Sequence, residues 1–168
     1  MSMRFDTADS ILERMQEAEN MYYRLVILVA PSGAGKTHLL QEVGERLGGT
    51  VTNLNRELSQ RLLEFSKHRR ALQVEQLTED VVSANGEGTV ILDNIEILFD
   101  RSLQQHPLRL LKNMARRRTV IASWNGLCEN DTLTYAIPGH PERQSYPVED
   151  FLVASPAAFS ENVEDGNT

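Results

Sequence analysis

The chain has 168 residues, 40% of them apolar and 24% charged, with a net charge of −7. Those values describe a soluble globular domain and exclude a multidomain machine, a fibrous chain and a membrane-embedded one. One cysteine, Cys128, permits no internal disulfide and no zinc spacing, and no apolar run approaches the roughly 18 residues of a membrane helix. No leader pattern opens the chain, so a cytoplasmic location is expected, with no membrane partner.

In chain order, Asp9 or Ser10 is placed to cap a helix to about Asn20, with Ile11, Leu12, Met15 and Ala18 on one face. Arg24 to Ala30 then reads as a strand buried on both faces, of the kind found in parallel sheets. A glycine turn leads to a helix over Lys36–Leu47, with Leu39, Leu40, Val43 and Leu47 inward and Gly48-Gly49 as its stop. Thr50–Leu54 is a short strand, and Asn55 is placed to cap a helix carrying Leu58, Leu62, Leu63 and Phe65. A further helix is expected over Leu72–Val82, with Leu72, Val74, Leu77 and Val81 inward, ending at Asn85-Gly86. Thr89–Asp93 is the third buried strand. Pro107 opens a helix through Leu108, Leu111 and Ala115, and Thr119–Ser123 is the fourth strand.

Beyond Trp124 the helical pattern fades among Pro138, Pro141 and Pro147, and two stretches, Leu133–Ile137 and Phe151–Ala154, compete for the last strand. Strands alternating with helices predict an α/β fold, a three-layer α-β-α sandwich around a mainly parallel sheet. The expected organisation is one domain over residues 1–155, its first 22 residues a helical segment, followed by an acidic mobile tail over 156–168.

Residues 30 to 37 read Ala-Pro-Ser-Gly-Ala-Gly-Lys-Thr, the Walker A pattern with Ala30 in place of the first glycine. A loop that turns successive N–H groups onto a phosphate needs glycine where φ is positive or a Cβ would collide, here Gly33 and Gly35. The following helix aims its unpaired N–H groups at the same anion. Ser32, Gly33, Ala34, Gly35, Lys36, Thr37 and His38 are therefore the expected nucleotide-binding set. Within it, Lys36 meets the β and γ phosphates, and Thr37 offers a hydroxyl to Mg²⁺. ATP and Mg²⁺ are the expected ligands.

Val90–Asp93 matches Walker B, a buried strand ending in a carboxylate at the crevice, so Asp93 is the second expected metal ligand. Its alternative role is a cap for the next helix. The residue after it, an acid in many hydrolysing ATPases of the additional-strand type, is Asn94. An amide can orient water but cannot take its proton, so either hydrolysis is slow or Glu96 supplies the carboxylate. Glu96 reads equally well as a solvated residue at a helix start. Val120–Asn125 resembles the sensor I strand of AAA+ ATPases, with Asn125 the first choice for the polar residue and Ser123 the second; a plain turn asparagine is the alternative. Lys36, Asp93, Glu96, Asn94 and Asn125 are thus the catalytic candidates, and Trp124 is read as core.

The charge is uneven. Residues 149–168 carry Glu149, Asp150, Glu161, Glu164 and Asp165 and no base, while residues 101–128 carry Arg101, Arg109, Lys112 and Arg116-Arg117-Arg118 and no acid. The triple arginine at a helix end complements the helix dipole; its alternatives are an arginine supplied to a neighbouring subunit's nucleotide, shared by Arg101, and a DNA-contacting patch. Lys67-His-Arg-Arg70 reads as a solvated loop or, secondarily, a nucleic-acid contact. His140, in Gly-His-Pro, is read as structural.

With both Walker motifs placed, Asn53–Ser59, Leu92–Asp100, Leu103–Leu111 and Leu133–Pro141 resemble the BrxF family, the small P-loop proteins of type III BREX (bacteriophage exclusion) systems. The resemblance runs over roughly residues 20–153, and Asp-Asn-Ile-Glu and Tyr-Ala-Ile-Pro-Gly-His-Pro are its more telling stretches. It implies an AAA+-like P-loop core without the helical lid domain, and an antiphage role. The partners it implies are a large ATPase, a DNA methyltransferase, an alkaline-phosphatase-like protein and a helicase. It carries Lys36, Thr37 and Asp93 over as site residues and makes Asn94 part of the family pattern. The expected function is a slow or partner-stimulated ATPase, with DNA contact direct or through partners and a homo-oligomer among the assemblies. The alternative is a nucleotide-dependent interaction module without useful turnover. A small-molecule kinase fits the size but lacks an arginine-rich lid.

Overall fold

The computed structural model describes residues 7–86, 88–136 and 140–156. Except for Pro156, the expected tail lies outside the described residues. Helix α1 (Ala8–Ala18) buries Ala8, Ile11, Met15 and Ala18; three of these were read from the sequence, while Leu12, also expected inward, is only partly buried. Its cap is Thr7 rather than Asp9 or Ser10: the Thr7 hydroxyl accepts from the Ser10 N–H, and the Ser10 hydroxyl accepts from the Thr7 N–H at 2.7 Å. Two reciprocal bonds satisfy donors that a cap further along would leave open.

Strand β1 (Leu25–Ala30) is buried throughout, and helix α2 (Lys36–Leu47) follows the glycine loop. Strand β2 (Val51–Asn53) leads into α3 (Leu54–Leu62), capped by the Asn53 side chain and not by Asn55. Helix α4 (Lys67–Ser83) starts five residues before the expected Leu72, so Lys67–Arg70 forms its first turn instead of a loop. Then come β3 (Val90–Asp93), two short 3₁₀ turns (Glu96–Phe99 and Arg101–Leu103) and α5 (Pro107–Met114). Strand β4 (Val120–Glu129) runs well past the expected Ser123, and β5 (Thr132–Tyr135), β6 (Gln144–Pro147) and β7 (Leu152–Ala154) complete the sheet.

The parallel strands lie in the order β2-β3-β4-β1-β7. Of the two stretches that competed for the last strand, Phe151–Ala154 supplies β7, parallel to β1, whereas Leu133–Tyr135 lies in β5, antiparallel to the far half of β4. β5 and β6 form a hairpin rooted at the crevice end of the sheet, and Pro147 suits the outer strand because it has no N–H to donate. At its root a Cβ on Gly126 would lie 1.8 Å from the Thr134 carbonyl oxygen, so only glycine lets the strands meet there. Trp124, fully buried as expected, packs edge-on to Phe99, Tyr135 and Tyr146.

Side-chain alternation along the strands sorts the layers. Leu25, Ile27 and Val29 of β1, Val90 and Leu92 of β3, and Ala122 and Trp124 of β4 join the core under α3, α4 and α5. Val26 and Leu28, Ile91 and Ile121 join the other core, under α1 and α2. Three apolar residues expected inside are not: Leu47, Leu63 and Leu72 are exposed. Leu72 precedes buried Val74 by two residues, about 200° round a helix, so it faces away from the sheet. Leu63 has passed the end of α3, and Leu47 sits in the last turn of α2 before the Gly48 reversal. Among the described residues no helix is long and apolar enough to cross a membrane.

Candidate functional site: a glycine-loop crevice

Alternation also aims the polar ends of the strands. Asp93 shares a face with Ile91, and Ser123 and Asn125 share one with Ile121, so all three point toward the side of the sheet covered by α2. The loop after β1 delivers α2 to the same place, with Gly33 at φ 81° and Gly35 at φ 93°, a region that favours glycine. Gly35 caps α2, so the free N–H groups of its first turn open onto the loop. The result is a crevice of about 400 Å³ at the carboxyl ends of the strands, lined by Ser32, Gly33, Gly35, Lys36, Thr37, His38, Gln41, Asp93, Asn94, Glu96 and Asn125.

The sequence motifs therefore converge. The Thr37 hydroxyl donates to Asp93 Oδ2 at 2.6 Å, across 56 residues of chain. Asp93 Oδ1 accepts from the Ser123 hydroxyl at 2.7 Å and from the Asn94 N–H at 3.0 Å, and Asp93 is buried. Its carboxylate is committed to the crevice and does not cap a following helix. Lys36 is buried, with Nζ donating to the carbonyls of Ala30 and Pro31 at 2.7 and 2.8 Å. Burial pulls its ammonium below the ordinary lysine range, partly offset by the nearby charges of Asp93 and Glu96. An anion bound here would restore the favourable surroundings that burial removes. Ala34, expected in the nucleotide-binding set, is buried and does not line the crevice.

Glu96 is not a freely solvated helix-start residue. Its Oε1 accepts from the Asn125 amide at 2.5 Å and its Oε2 from the Asn55 amide at 2.9 Å, while Asn55 Oδ1 accepts from the Ile97 N–H at 2.7 Å. Asn55, expected as a helix cap, instead brackets this carboxylate from the opposite side to Asn125. Ser123 binds Asp93 and Asn125 binds Glu96, so the two sensor-strand candidates divide the two acids between them. Burial, and then the charges of Glu96 and Glu142, push the Tyr135 phenol above its usual range. Gln41 and Asn55 are the two site residues missed from sequence. Gln41 lies one helical turn after Thr37 and was within reach of periodicity.

The donor set suits Mg²⁺: a hydroxyl and a carboxylate, hard oxygen donors, meet at the crevice. Among the described residues no three His, Cys, Asp or Glu side chains cluster to hold an ion by themselves. Thr37 and Asp93 would thus hold the ion together with phosphate oxygens and water, the usual coordination of Mg²⁺.

The basic run lies elsewhere. Leu25 of β1 pairs with Val120 and Ala30 with Asn125, so Arg116–Arg118, just before β4, stand at the opposite end of the sheet, about 20 Å from the glycine loop at about 3.3 Å per residue. The Arg116 guanidinium sits over the Tyr22 ring at 5.1 Å. Arg118 pairs with Glu79 at 2.7 Å, while its Nη1 is buried without a hydrogen-bond partner among the described residues. Arg101 donates to the Pro141 carbonyl, and Arg70 to those of Leu62 and Phe65. His140 is exposed, and its Nδ1 accepts from the Glu142 N–H at 3.2 Å. A groove of about 700 Å³ between α4 and α5, lined by Leu72, Glu75, Glu79, Leu110, Met114 and Arg117 among others, is larger than the crevice but lies away from the glycine loop.

No known protein family matches the chain, and no curated protein does. Among solved structures it is similar to the AMPPCP-bound DnaA from Aquifex aeolicus, at 21% identity and a TM-score of 0.30 over 73% of this chain; the match spans 39% of the DnaA chain. The sheet order itself makes the fold an α/β sandwich with a mostly parallel sheet.

Proposed function

We propose that the protein binds a nucleoside triphosphate, ATP by expectation, with Mg²⁺ in the crevice formed by Lys36, Thr37 and Asp93, and hydrolyses it slowly or under stimulation by a partner. The carrying observation is the Thr37–Asp93 contact, which joins the phosphate loop to the end of β3 beside the Lys36 ammonium. In this reading the N–H groups of residues 33–38 and Lys36 cradle the phosphates. Bound Mg²⁺ supplies neutralisation of phosphate charge. Asn125 and Asn55 hold the Glu96 carboxylate, and Ser123 holds Asp93.

The likeness of four sequence stretches to the BrxF family supports a role in a bacterial defence system against phage, beside a large ATPase, a methyltransferase, an alkaline-phosphatase-like protein and a helicase. Direct or indirect DNA contact, self-association and a cytoplasmic location belong to the same proposal. The test is Lys36→Ala, assayed for nucleotide binding by calorimetry and for phage resistance in cells. Loss of both is expected; retention of ATP binding and full resistance would sink the proposal.

A second reading, a nucleotide-dependent interaction module, is favoured by one observation: the position after Asp93 holds an amide, which cannot accept a proton from water. Release of γ-phosphate, measured with and without DNA and partner proteins, separates the two. No release under any condition selects the module.

A further inference from the structure

At the end of β3 the chain stops being extended. Asn94 has φ 52°, in the left-handed region that asparagine tolerates and larger or β-branched residues avoid. The turn is held at both peptide ends: the Asn94 N–H donates to Asp93 Oδ1 at 3.0 Å, and the Asn94 carbonyl accepts from the Asn55 N–H at 2.8 Å. Two residues later the chain begins the 3₁₀ turn Glu96–Phe99, and the Glu96 side chain returns to the crevice, between the amides of Asn55 and Asn125. Asn55 takes part at three points: its backbone N–H holds Asn94, its amide nitrogen holds Glu96, and its amide oxygen accepts from Ile97. The loop after Asp93 is thus a closed set of short bonds that delivers a carboxylate from three positions beyond Asp93.

We propose that Asn94 is a positioning residue whose left-handed backbone presents Glu96 as the carboxylate that takes the proton of the attacking water, an inference that rests on reading the crevice as a hydrolytic nucleotide site. The asparagine that looks like a lost catalytic acid is the bend that supplies the acid from elsewhere. In the step served, the water oxygen bonds to the γ-phosphorus as its proton passes to Glu96. The bond from that phosphorus to the β,γ-bridging oxygen breaks with its electron pair left on the diphosphate. Glu96 then returns the proton to solvent. Its two amide neighbours have no acidic proton to exchange and act by orientation.

The test compares full-length Asn94→Gly, Asn94→Ala and Asn94→Val, Glu96→Gln, and the double variant Asn94→Glu with Glu96→Gln. Readouts are γ-phosphate release with Mg²⁺ and ATP, nucleotide Kd, and crystal structures. Glycine enters the left-handed region freely, so Asn94→Gly is expected to turn over roughly tenfold or more faster than Asn94→Val, with Asn94→Ala between them and Kd within about threefold across the series. Glu96→Gln is expected to lose about 100-fold or more in kcat, the scale of a general base, and the double variant to recover none of it. In crystals, Glu96 stays between Asn55 and Asn125 in Asn94→Gly and leaves them in Asn94→Val or, should that variant not fold, in Asn94→Ala. A wild type that hydrolyses ATP while Asn94→Val keeps Glu96 in place, or a double variant that recovers turnover, overturns the positioning role alone. A wild type that releases no phosphate with DNA and all partners present removes the hydrolytic reading, and the proton transfer to Glu96 with it.

Discussion

The two ends of the sheet handle charge in opposite ways. At the carboxyl ends of the strands, a buried ammonium, a buried carboxylate and a bracketed glutamate gather around a glycine loop, and each polar group is aimed into one crevice. At the amino ends, the most basic stretch of the chain disperses: Arg118 folds onto Glu79, Arg116 covers Tyr22, and Arg24 donates to the Arg116 carbonyl. Charge density in the sequence does not mark the crevice; what distinguishes the crevice is that charged and polar side chains from β3, β4 and the loop after β1 converge on one cavity.

That contrast can be broken by substitution. The largest effect is expected from Lys36→Ala, a loss of more than about 100-fold in nucleotide affinity by calorimetry, since it removes a desolvated cation from a polyanion site. Arg117→Ala at the other pole should leave affinity within about twofold, because the residue is exposed and about 20 Å from the loop. Gly126→Ala should cost about 3 kcal/mol or more in a denaturant titration, as the new Cβ would collide with the Thr134 carbonyl and part the hairpin from β4. Glu79→Ala should cost about 2 kcal/mol by leaving the half-buried Arg118 guanidinium without its carboxylate.

The smallest effect is a pH dependence at Lys36. Its folded-state value lies below the ordinary 10.5, so between the two the unfolded chain holds more protons, and the free protein should gain stability as pH rises through that window. Nucleotide affinity should fall over the same range, because the deprotonated amine no longer attracts phosphate. Thermal melts with and without nucleotide, run at rising pH up to 10.5, check both signs, and Lys36→Ala should flatten both.

Much of the parallel sheet was legible because its strands are continuous apolar runs, and Leu25–Ala30 and Val90–Asp93 could bury themselves on both faces only in such a sheet. Lys36, Thr37 and Asp93 were legible because backbone geometry demands glycine at fixed offsets from the lysine and a carboxylate at a strand end. What escaped reading depends on contacts between distant segments. Nothing near Asn55 announces a glutamate 41 residues away, and an asparagine one place from a helix start looks like a cap. The exposure of Leu72 escaped because a leucine was read as inward, whereas the buried face of α4 runs through Val74, Thr78 and Val81 and Leu72 lies about 200° round the helix from Val74. The hairpin hid because Pro147 argues against helix yet is accepted in the outer strand β6.

The central claim, that the crevice is a phosphate-binding site for a Mg²⁺–nucleoside triphosphate, meets its most direct test in calorimetric titration of the full chain with ATP plus Mg²⁺, run beside Lys36→Ala. Saturable one-to-one binding by the wild type, weakened by omitting Mg²⁺ and lost in the variant, is the predicted result. Absence of binding by the wild type, or equal binding by a folded Lys36→Ala protein, would contradict it.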